Sequence, residues 1–370
     1  MSPVRTSVMH AHPLRIPAFR SREFRTQPAP CSTRLVRLWV AVALALVAIV
    51  SLPAHALLRP KTLSGARTLS STRPLTSGQA PRTPNELGRI PIIEWHQVVD
   101  ADGSYKISRE RFRGELKELY ARGYVPISLA ELLDKKIDIP AGKSPVLFTF
   151  DDASPSQFRY LDRGGKLVID PTSAVGILMD FIKAHPDWKP RGLFCALPAA
   201  QVGHAFFGEK GIDGQLSAWR FPKLRYLVEQ GFELCNHTLW HAMLNKYGDG
   251  VVQEQLARGA LAIDSAVPGY KIRGMALPYG IWPKNRALAY AGSWYDKKGK
   301  REISYRNEAV FEVAGGPARS PYDPQFNPKA LPRVPLQGGT KLVPTLDAMD
   351  KAGPMARYVS DGNPKVIAKP

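Results

Sequence analysis

Two short groups of residues carry side chains that could bind a metal and activate water. His237 and His241 are separated by three residues, and Asp151 and Asp152 directly follow the apolar run VLFTF. On one helical turn, two imidazoles at this spacing can reach one metal ion. One aspartate and the two histidines would make a three-ligand site with an open position, as in catalytic zinc sites. The other aspartate could then act as a general base.

The nitrogen and oxygen ligands of such a site suit Zn²⁺, with Co²⁺, Ni²⁺ or Fe²⁺ as alternatives. A divalent cation of this kind polarises a carbonyl group and acidifies water. The pair HTLWH has no glutamate at its second position, so it does not have the HExxH pattern of the zinc metalloproteases.

Further polar residues follow other apolar runs. His96 comes directly after IPIIEW, and Pro278, Tyr279 and Gly280 follow the run that ends in MAL. In a parallel barrel the chemistry is located at the carboxyl ends of the strands. We therefore expect these residues to converge with the aspartates and histidines on one rim.

Seven short apolar runs provide the candidate strands. Continuous rather than alternating apolar runs are typical of strands that are buried on both faces, as in parallel sheets. The runs are Ile90–Trp95, Val146–Phe150, Leu193–Leu197, Phe232–Cys235, Ile272–Leu277, Ala309–Val313 and Leu331–Leu336.

Helical patterns lie between these runs. A capping box, Ser128 with Glu131, predicts a short helix, and apolar spacing predicts the others. They are expected at Arg109–Arg122, Ser173–His185, Pro222–Gln230 and Val252–Val267. Alternating strands and helices indicate an α/β fold with a parallel sheet, and seven repeats predict a closed or nearly closed barrel.

The motifs TFDD (149–152), HTLWH (237–241) and LPYG (277–280), in this order, resemble those of the NodB-like polysaccharide deacetylases, carbohydrate esterase family 4. The resemblance covers roughly residues 90–336. It implies a distorted (β/α)7 barrel of the NodB-homology type. It also implies a hydrolase that acts on carbon-nitrogen bonds other than peptide bonds, with metal-dependent removal of acetyl groups from N-acetylglucosamine-containing polysaccharide.

The resemblance also implies roles for individual residues. Asp151 matches the general base, and Tyr279, which follows Pro278, matches the residue whose backbone N–H helps to hold the oxyanion. The metal ligands that it implies are Asp152, His237 and His241.

Two departures from the family pattern concern the third and the last motifs. Ala276 stands where the third motif usually has the arginine that orients the base, and Arg273 lies at a different point on the strand. No histidine follows His241, so the late motif with the acid histidine is missing. The segment IPIIEWHQV resembles the first strand of the circularly permuted poly-N-acetylglucosamine deacetylases, in which the acid histidine comes first. It implies that His96 protonates the leaving amine, and Trp282 could stack on a sugar ring.

The N-terminal quarter of the chain has the composition of a targeting segment. The uncharged run Leu38–Leu52 follows Arg34 and Arg37 and precedes Ala54-His55-Ala56, which fits the small-x-small rule of signal peptidase. Residues 1–56 are therefore expected to be a cleaved signal peptide or an uncleaved anchor in the inner membrane. In either case the rest of the chain is exported to the periplasm or the extracellular space.

The remaining boundaries follow from composition. Residues 57–89 are a Ser/Thr/Pro/Arg-rich linker, residues 90–336 the catalytic domain, and residues 337–370 a C-terminal tail. More than half of the net charge of +19 lies in the first 90 residues, which makes nucleic acid a poor candidate partner. No obligate protein partner is evident. Export permits a disulfide, but Cys195 and Cys235 lie in apolar runs and are expected to be free, buried thiols.

Three functions share these residues. The first is an exported N-deacetylase, the second is an O-acetyl esterase acting on cell-surface glycan, and the third is a non-catalytic glycan- or metal-binding module on the same fold. The candidate polymers are peptidoglycan, poly-N-acetylglucosamine, chitooligosaccharide and a lipid-linked glycan.

Overall fold

The computed structural model describes residues 82–199, 206–208 and 211–369. The predicted signal or anchor segment, most of the predicted linker and Cys31 lie outside the described residues. Among the described helices, none has both the length and the apolar character that a membrane crossing requires.

The described residues form fourteen strands. In chain order they are β1 (Ile92–Trp95), β2 (Gln97–Val99), β3 (Lys106–Ser108), β4 (Tyr124–Pro126), β5 (Ser144–Phe150), β6 (Tyr160–Arg163), β7 (Lys166–Ile169), β8 (Leu193–Ala196), β9 (Glu233–Asn236), β10 (Gly274–Ala276), β11 (Ala291–Asp296), β12 (Arg301–Arg306), β13 (Ala309–Gly315) and β14 (Leu331–Pro335).

Six α-helices accompany these strands in the described part of the chain. They are α1 (Arg109–Ala121), α2 (Leu129–Leu133), α3 (Ala174–Ala184), α4 (Arg220–Gln230), α5 (Asp249–Ala266) and α6 (Leu342–Met349). The predicted capping box is present: Ser128 accepts a hydrogen bond from the backbone of Glu131, whose side chain accepts one from the backbone of Ser128. α4 ends at Gly231, which has a left-handed backbone (φ 98°) that favours glycine.

Seven parallel strands close into a barrel in the order β1-β14-β13-β10-β9-β8-β5, and β5 pairs back with β1. The closing register runs from Ile92 opposite Leu147 to Trp95 opposite Phe150. β4 extends the sheet as an eighth strand on β5. The seven barrel strands are the seven apolar runs of the sequence, so the predicted α/β barrel is confirmed.

Successive residues of the barrel strands pack alternately inside and outside the barrel. One outer core includes Trp95, Phe148, Phe150 and Phe194, which pack together with apolar residues of α1, α3 and α4. Another outer core includes Met275 and Val310, which pack with apolar residues of α5. The inner core consists of buried side chains with the opposite phase, because successive side chains of a strand point to opposite faces. Its barrel members are Ile92, Leu147, Leu193, Cys195, Cys235, Ala276, Ala309, Phe311 and Leu331.

The two ends of the described chain meet on the barrel. Asn85 bridges to Val359, and the backbone N–H of Gly142 donates to Ser360. Arg357 is buried and donates to Ser144 and Asp350. The segment predicted as a C-terminal tail therefore contains α6 and buried residues that cover one side of the barrel.

Cys195 and Cys235 are joined by a disulfide, so the expectation of free thiols was wrong. The two residues are directly opposite each other in neighbouring parallel strands, β8 and β9. Burial in an apolar environment is compatible with a free thiol and with a disulfide. The strand register decides between the two, because it brings both sulfurs together inside the barrel.

We predict that this disulfide stabilises the domain. It closes a loop of 40 residues, and a cross-link of this length removes about 4 kcal/mol of conformational freedom from the unfolded chain. Replacement of both cysteines by alanine should lower the free energy of unfolding by about 2–4 kcal/mol in guanidinium titrations. Wild-type protein unfolded in the presence of a reductant is the matched control and should lose a similar amount; equal stability of all three samples would contradict the prediction.

Candidate active site

A cleft of about 760 Å³ opens at the carboxyl ends of the barrel strands. Side chains from β1, from the loop after β5, from the loop after β9 and from the turn after β10 line it. The lining residues are Glu94, His96, Gln97, Tyr105, Asp151, Asp152, Leu197, Ala199, His237, Trp240, His241, Leu277, Tyr279 and Val313. The rim that the sequence predicts therefore exists.

Three of these residues form a cluster of metal-binding side chains. One ligand atom each from Asp152, His237 and His241 lie within 4.8 Å of one another. Oδ1 of Asp152 is 3.2 Å from Nε2 of His237 and 3.4 Å from Nε2 of His241. The three predicted ligands thus converge.

The two histidines do not lie on a helical turn, and that part of the prediction was wrong. His237 directly follows β9, and Thr238 and His241 have left-handed backbones, with φ of 67° and 64°. The backbone N–H of His241 donates to Oγ1 of Thr238 at 3.1 Å. The irregular loop turns His241 back over the strand end, and its ring lies 4.9 Å from the ring of His237.

The donor set fits a divalent cation. Nδ1 of His237 donates to the carbonyl oxygen of Ala276 at 2.9 Å, so Nε2 is the atom that faces Asp152. A backbone partner of this kind fixes the orientation of a metal-binding imidazole. At these distances, the two ring nitrogens and the carboxylate oxygen direct their lone pairs towards one another. A positive charge between them, either a proton or a metal cation, is needed to offset the repulsion.

The pKa values reflect that requirement. Burial would lower the pKa of His237, but the carboxylates of Asp151 and Asp152 outweigh it and raise the pKa. Burial and the nearby His237 lower the pKa of His241 to about 4. Burial would raise the pKa of Asp152, but the hydrogen bond and charge of His237 lower it strongly. A metal is bound by the carboxylate form of aspartate and by the neutral form of histidine. The lowered pKa values of Asp152 and His241 therefore favour the metal-binding form of each.

Asp151 lies next to this cluster and is held by Arg333. Nη1 and Nη2 of Arg333 donate to the two carboxylate oxygens of Asp151 at 2.9 and 2.7 Å. Nη1 also donates to Thr149, and Nε donates to the carbonyl oxygen of Glu312. Burial would raise the pKa of Asp151, but the guanidinium outweighs it and holds the pKa at about 2. Asp151 is therefore ionised at neutral pH and oriented by a bidentate contact.

Arg333 is the residue that sequence reasoning missed. It is fully buried in the barrel on β14, in the run LPRVPL. Arg273 pairs instead with Glu308 and Asp134 and has no contact with Asp151 among the described hydrogen bonds. The signal was available, because a charged residue interrupts an otherwise apolar strand, and a buried arginine needs a carboxylate partner.

His96 lies on the other side of the cleft floor. Its Nε2 is 3.5 Å from Oε1 of Glu94, and its ring packs edge-on against Tyr105. Its Nδ1 is buried without a hydrogen-bond partner in the described part of the chain. Burial lowers the pKa of His96, with Asp152 and Asp151 opposing the shift. Gln157 connects the two sides, because its amide donates to the carbonyl oxygens of both His96 and Asp151.

The turn after β10 places Tyr279 at the mouth of the cleft. Pro278 is buried, and Tyr279 has a left-handed backbone (φ 58°) and a side chain that is 53% exposed. Its ring lies 4.3 Å from the ring of His241. Trp240 is also exposed at the rim. Tyr279, Trp240 and Tyr105 provide aromatic faces around the charged floor.

Trp282 does not line the cleft within the described residues. Its indole N–H donates to Glu312 at 2.9 Å, and the guanidinium of Arg286 lies over its ring. Pro278 is likewise not one of the lining residues. The other predicted residues do line the cleft: His96, Asp151, Asp152, His237, His241 and Tyr279.

The arrangement has three chemical parts. A metal-binding cluster lies beside an oriented carboxylate that can accept a proton, and a histidine that can donate one lies on the same floor. These are the parts needed for addition of water to a carbonyl carbon and for protonation of the leaving group.

Part of the chain is similar to known proteins. Residues 206–296 match the family model described as polysaccharide deacetylase. Two chitooligosaccharide deacetylases are similar: one from Sinorhizobium fredii is 39% identical over 59 residues, and one from a Bradyrhizobium species is 36% identical over 62 residues. These stretches cover 16% and 17% of this chain, and 27% and 28% of the two relatives. The match therefore spans about a quarter of each curated relative.

Among solved structures, a Streptococcus pyogenes deacetylase, PplD, in complex with acetate is similar in fold. The two chains are 16% identical, and the alignment has a TM-score of 0.49 and covers 72% of this chain and 99% of that one.

We predict that Arg333 maintains both the stability of the barrel and the charge of Asp151. Arg333→Met leaves the carboxylate of Asp151 buried without its cation and the carboxyl group of Glu94 without its hydrogen-bond donor, and should cost about 3–5 kcal/mol at pH 7. Wild-type Asp151 has a pKa below its unfolded value, so its contribution is present above pH 4 and is lost as the pH falls towards 2. The difference between variant and wild type should therefore shrink in acid, as measured by denaturant unfolding of the metal-free proteins.

The matched control is Arg273→Met, which breaks ion pairs with the partly exposed Asp134 and Glu308. Such surface pairs contribute at most about 1 kcal/mol each. Equal destabilisation by both substitutions, at all pH values, would contradict a special role for Arg333.

Proposed function

We propose that the protein is a metal-dependent hydrolase that removes acetyl groups from an N-acetylglucosamine-containing polysaccharide. The match of residues 206–296 to the polysaccharide deacetylase family model supports this proposal. One observation carries the proposal. A single cleft holds the Asp152–His237–His241 cluster, the carboxylate of Asp151 fixed by Arg333, and His96 on the same floor.

Asp152, His237 and His241 would hold one divalent cation, with Zn²⁺ as the first candidate and Co²⁺, Ni²⁺ or Fe²⁺ as alternatives. When bound, the cation polarises the acetyl carbonyl and lowers the pKa of water.

Asp151 acts as the general base. Its carboxylate is ionised and fixed in place by Arg333, so it can accept a proton from water as the water oxygen bonds to the acetyl carbon. Tyr279 lines the cleft, and its backbone N–H would stabilise negative charge on the former carbonyl oxygen.

His96 acts as the general acid. It gives a proton to the amide nitrogen as the carbon-nitrogen bond breaks, which releases acetate and a free amine. Its lowered pKa makes its protonated form a readier donor. The exposed rings of Tyr105, Trp240 and Tyr279 support binding of a sugar chain, since aromatic faces pack against the apolar faces of pyranose rings.

We further propose that the protein is exported and works on cell-envelope or extracellular polysaccharide. The basic and apolar N-terminal segment supports export, and the Cys195–Cys235 disulfide is typical of an oxidising compartment. Residues 1–56 would be the signal peptide or inner-membrane anchor, 57–89 the linker and 90–336 the catalytic domain.

We predict metal-dependent acetate release by the full chain. The protein is stripped of metal, reloaded with Zn²⁺ or Co²⁺, and incubated with β-1,4- and β-1,6-linked N-acetylglucosamine oligomers and with peptidoglycan. The reloaded protein should release acetate, and Asp151→Asn should lower kcat by about 10²–10⁴-fold because the base is lost.

Release from O-acetylated glycan alone would replace the proposal with an esterase. Cation binding without release from any acetylated polymer would replace it with a binding module.

His96→Gln separates catalysis from metal binding. Because His96 is not one of the three clustered ligands, the variant should keep the Co²⁺ affinity of the wild type, read from the visible absorption of bound cobalt. Its kcat should fall by about 10²–10⁴-fold, as expected for loss of a general acid. Unchanged turnover would remove His96 from the proposed mechanism.

A further inference from the structure

Glu94 is a fully buried carboxyl group that the mechanism above does not use. It lies on β1, two residues before His96, and its side chain has no exposed surface. Its Oε1 accepts a hydrogen bond from Nη2 of Arg333 at 3.1 Å and lies 3.5 Å from Nε2 of His96. Its Oε2 has no hydrogen-bond partner in the described part of the chain.

The same Nη2 atom of Arg333 also donates to Asp151 at 2.7 Å. One guanidinium nitrogen is therefore shared between the carboxyl groups of Glu94 and Asp151. Glu94 therefore contacts Arg333, which orients the proposed base Asp151. Its Oε1 also faces His96, the proposed proton donor. Ligand atoms of Glu94, His96 and Asp151 lie within 4.8 Å of one another.

We propose that Glu94 is a positioning residue that couples the two proton-transferring groups of the cleft. Glu94 holds Nη2 of Arg333 in place, and Arg333 in turn orients Asp151. Glu94 also sets the orientation of the nearby His96. This role rests on the proposed deacetylase function and adds a residue to it.

The closing of the barrel is what allows one side chain to reach both groups. β1 pairs with β5 on one side and with β14 on the other; Asp151 directly follows β5, and Arg333 lies on β14. Glu94 is opposite Thr149 in β5 and Pro335 in β14. An inward-facing side chain at this register position has the base, the arginine and His96 as its neighbours.

The charge balance of the network indicates the state of Glu94. One guanidinium faces two carboxyl groups in a region without exposed surface, and Arg333 contacts Asp151 with two nitrogens but Glu94 with one. Burial raises the pKa of Glu94 to about 8, with Arg333 opposing the rise and Asp151 adding to it. A neutral carboxyl group can be imitated by an amide, whereas an apolar side chain cannot accept the hydrogen bond of Arg333.

The experiment compares Glu94→Met with Glu94→Gln in the metal-loaded full chain. The methionine variant removes the acceptor of Arg333 and the neighbour of His96 at similar volume. Its kcat for acetate release should fall by about 10²-fold, because small displacements of reacting groups have effects of this size. KM and Co²⁺ affinity should stay within about threefold, because neither the metal ligands nor the exposed aromatic rim is changed. The glutamine variant should restore kcat to within about fivefold of the wild type, since its amide oxygen still accepts from Arg333.

Thermal unfolding separates this role from a structural one. Glu94→Met should keep or raise the stability of the protein, because replacing a poorly compensated buried carboxyl group by an apolar side chain is often stabilising. The control is Glu115→Met on α1. Glu115 is also buried and accepts from Trp95 at 3.1 Å and from Arg111 at 3.0 Å, but it does not line the cleft. Its loss should lower the unfolding temperature and leave kcat within twofold.

Each result has a distinct meaning. If the wild type releases acetate and Glu94→Met has the same kcat, or if its loss of activity follows a loss of stability, the role of Glu94 is refuted and the deacetylase function stands. Failure of Glu94→Gln to restore kcat also refutes hydrogen-bond positioning. If the wild type releases no acetate from any polymer, the proposed function fails, and the coupling role fails with it.

Discussion

The contact between Arg333 and Asp151 is the constraint on which the rest of the site depends. A carboxylate at the base of the cleft is useful as a proton acceptor only if it stays ionised, and burial opposes ionisation. Arg333 supplies the compensating charge from inside the barrel. The two nitrogens that donate to Asp151 also donate to Thr149 and Glu94, and Nε donates to the backbone of Glu312. The guanidinium is thus held on several sides, and Asp151 takes its orientation from that frame.

This contact requires the barrel to close. Arg333 is near the end of the chain and Asp151 is 182 residues earlier, yet β14 and β5 both border β1. His96 follows β1 and therefore lies beside both. A sheet that remained open between β1 and β5 or between β1 and β14 would separate His96, the proposed proton donor, from Asp151, the proposed base. The first and last barrel strands consequently contribute to the site as directly as the strand before the two aspartates.

The sequence predicted the parts of the site that are local and missed those that depend on pairing between distant strands. The seven apolar runs are the barrel strands, and polar residues that follow them line one cleft. This could be predicted because the carboxyl ends of parallel strands lie on one rim, whatever the order of the strands in the sheet. Arg333 was missed because its role depends on which strand borders β1. The Cys195–Cys235 disulfide was missed because it depends on the register of β8 against β9. The loop after β9 was mistaken for a helical turn because i, i+4 spacing does not reveal the left-handed residues Thr238 and His241.

The buried polar layer at the top of the barrel is costly for folding, and its composition follows the needs of the cleft. Leucine, isoleucine, phenylalanine and the disulfide fill the interior of the barrel. The polar side chains of Glu94, Asp151 and Arg333 contact one another next to the cluster of Asp152, His237 and His241. Apolar residues at these positions would pack without desolvated charge. The presence of one cation for two carboxyl groups is therefore better explained by the orientation and charge of the proposed catalytic groups than by stability.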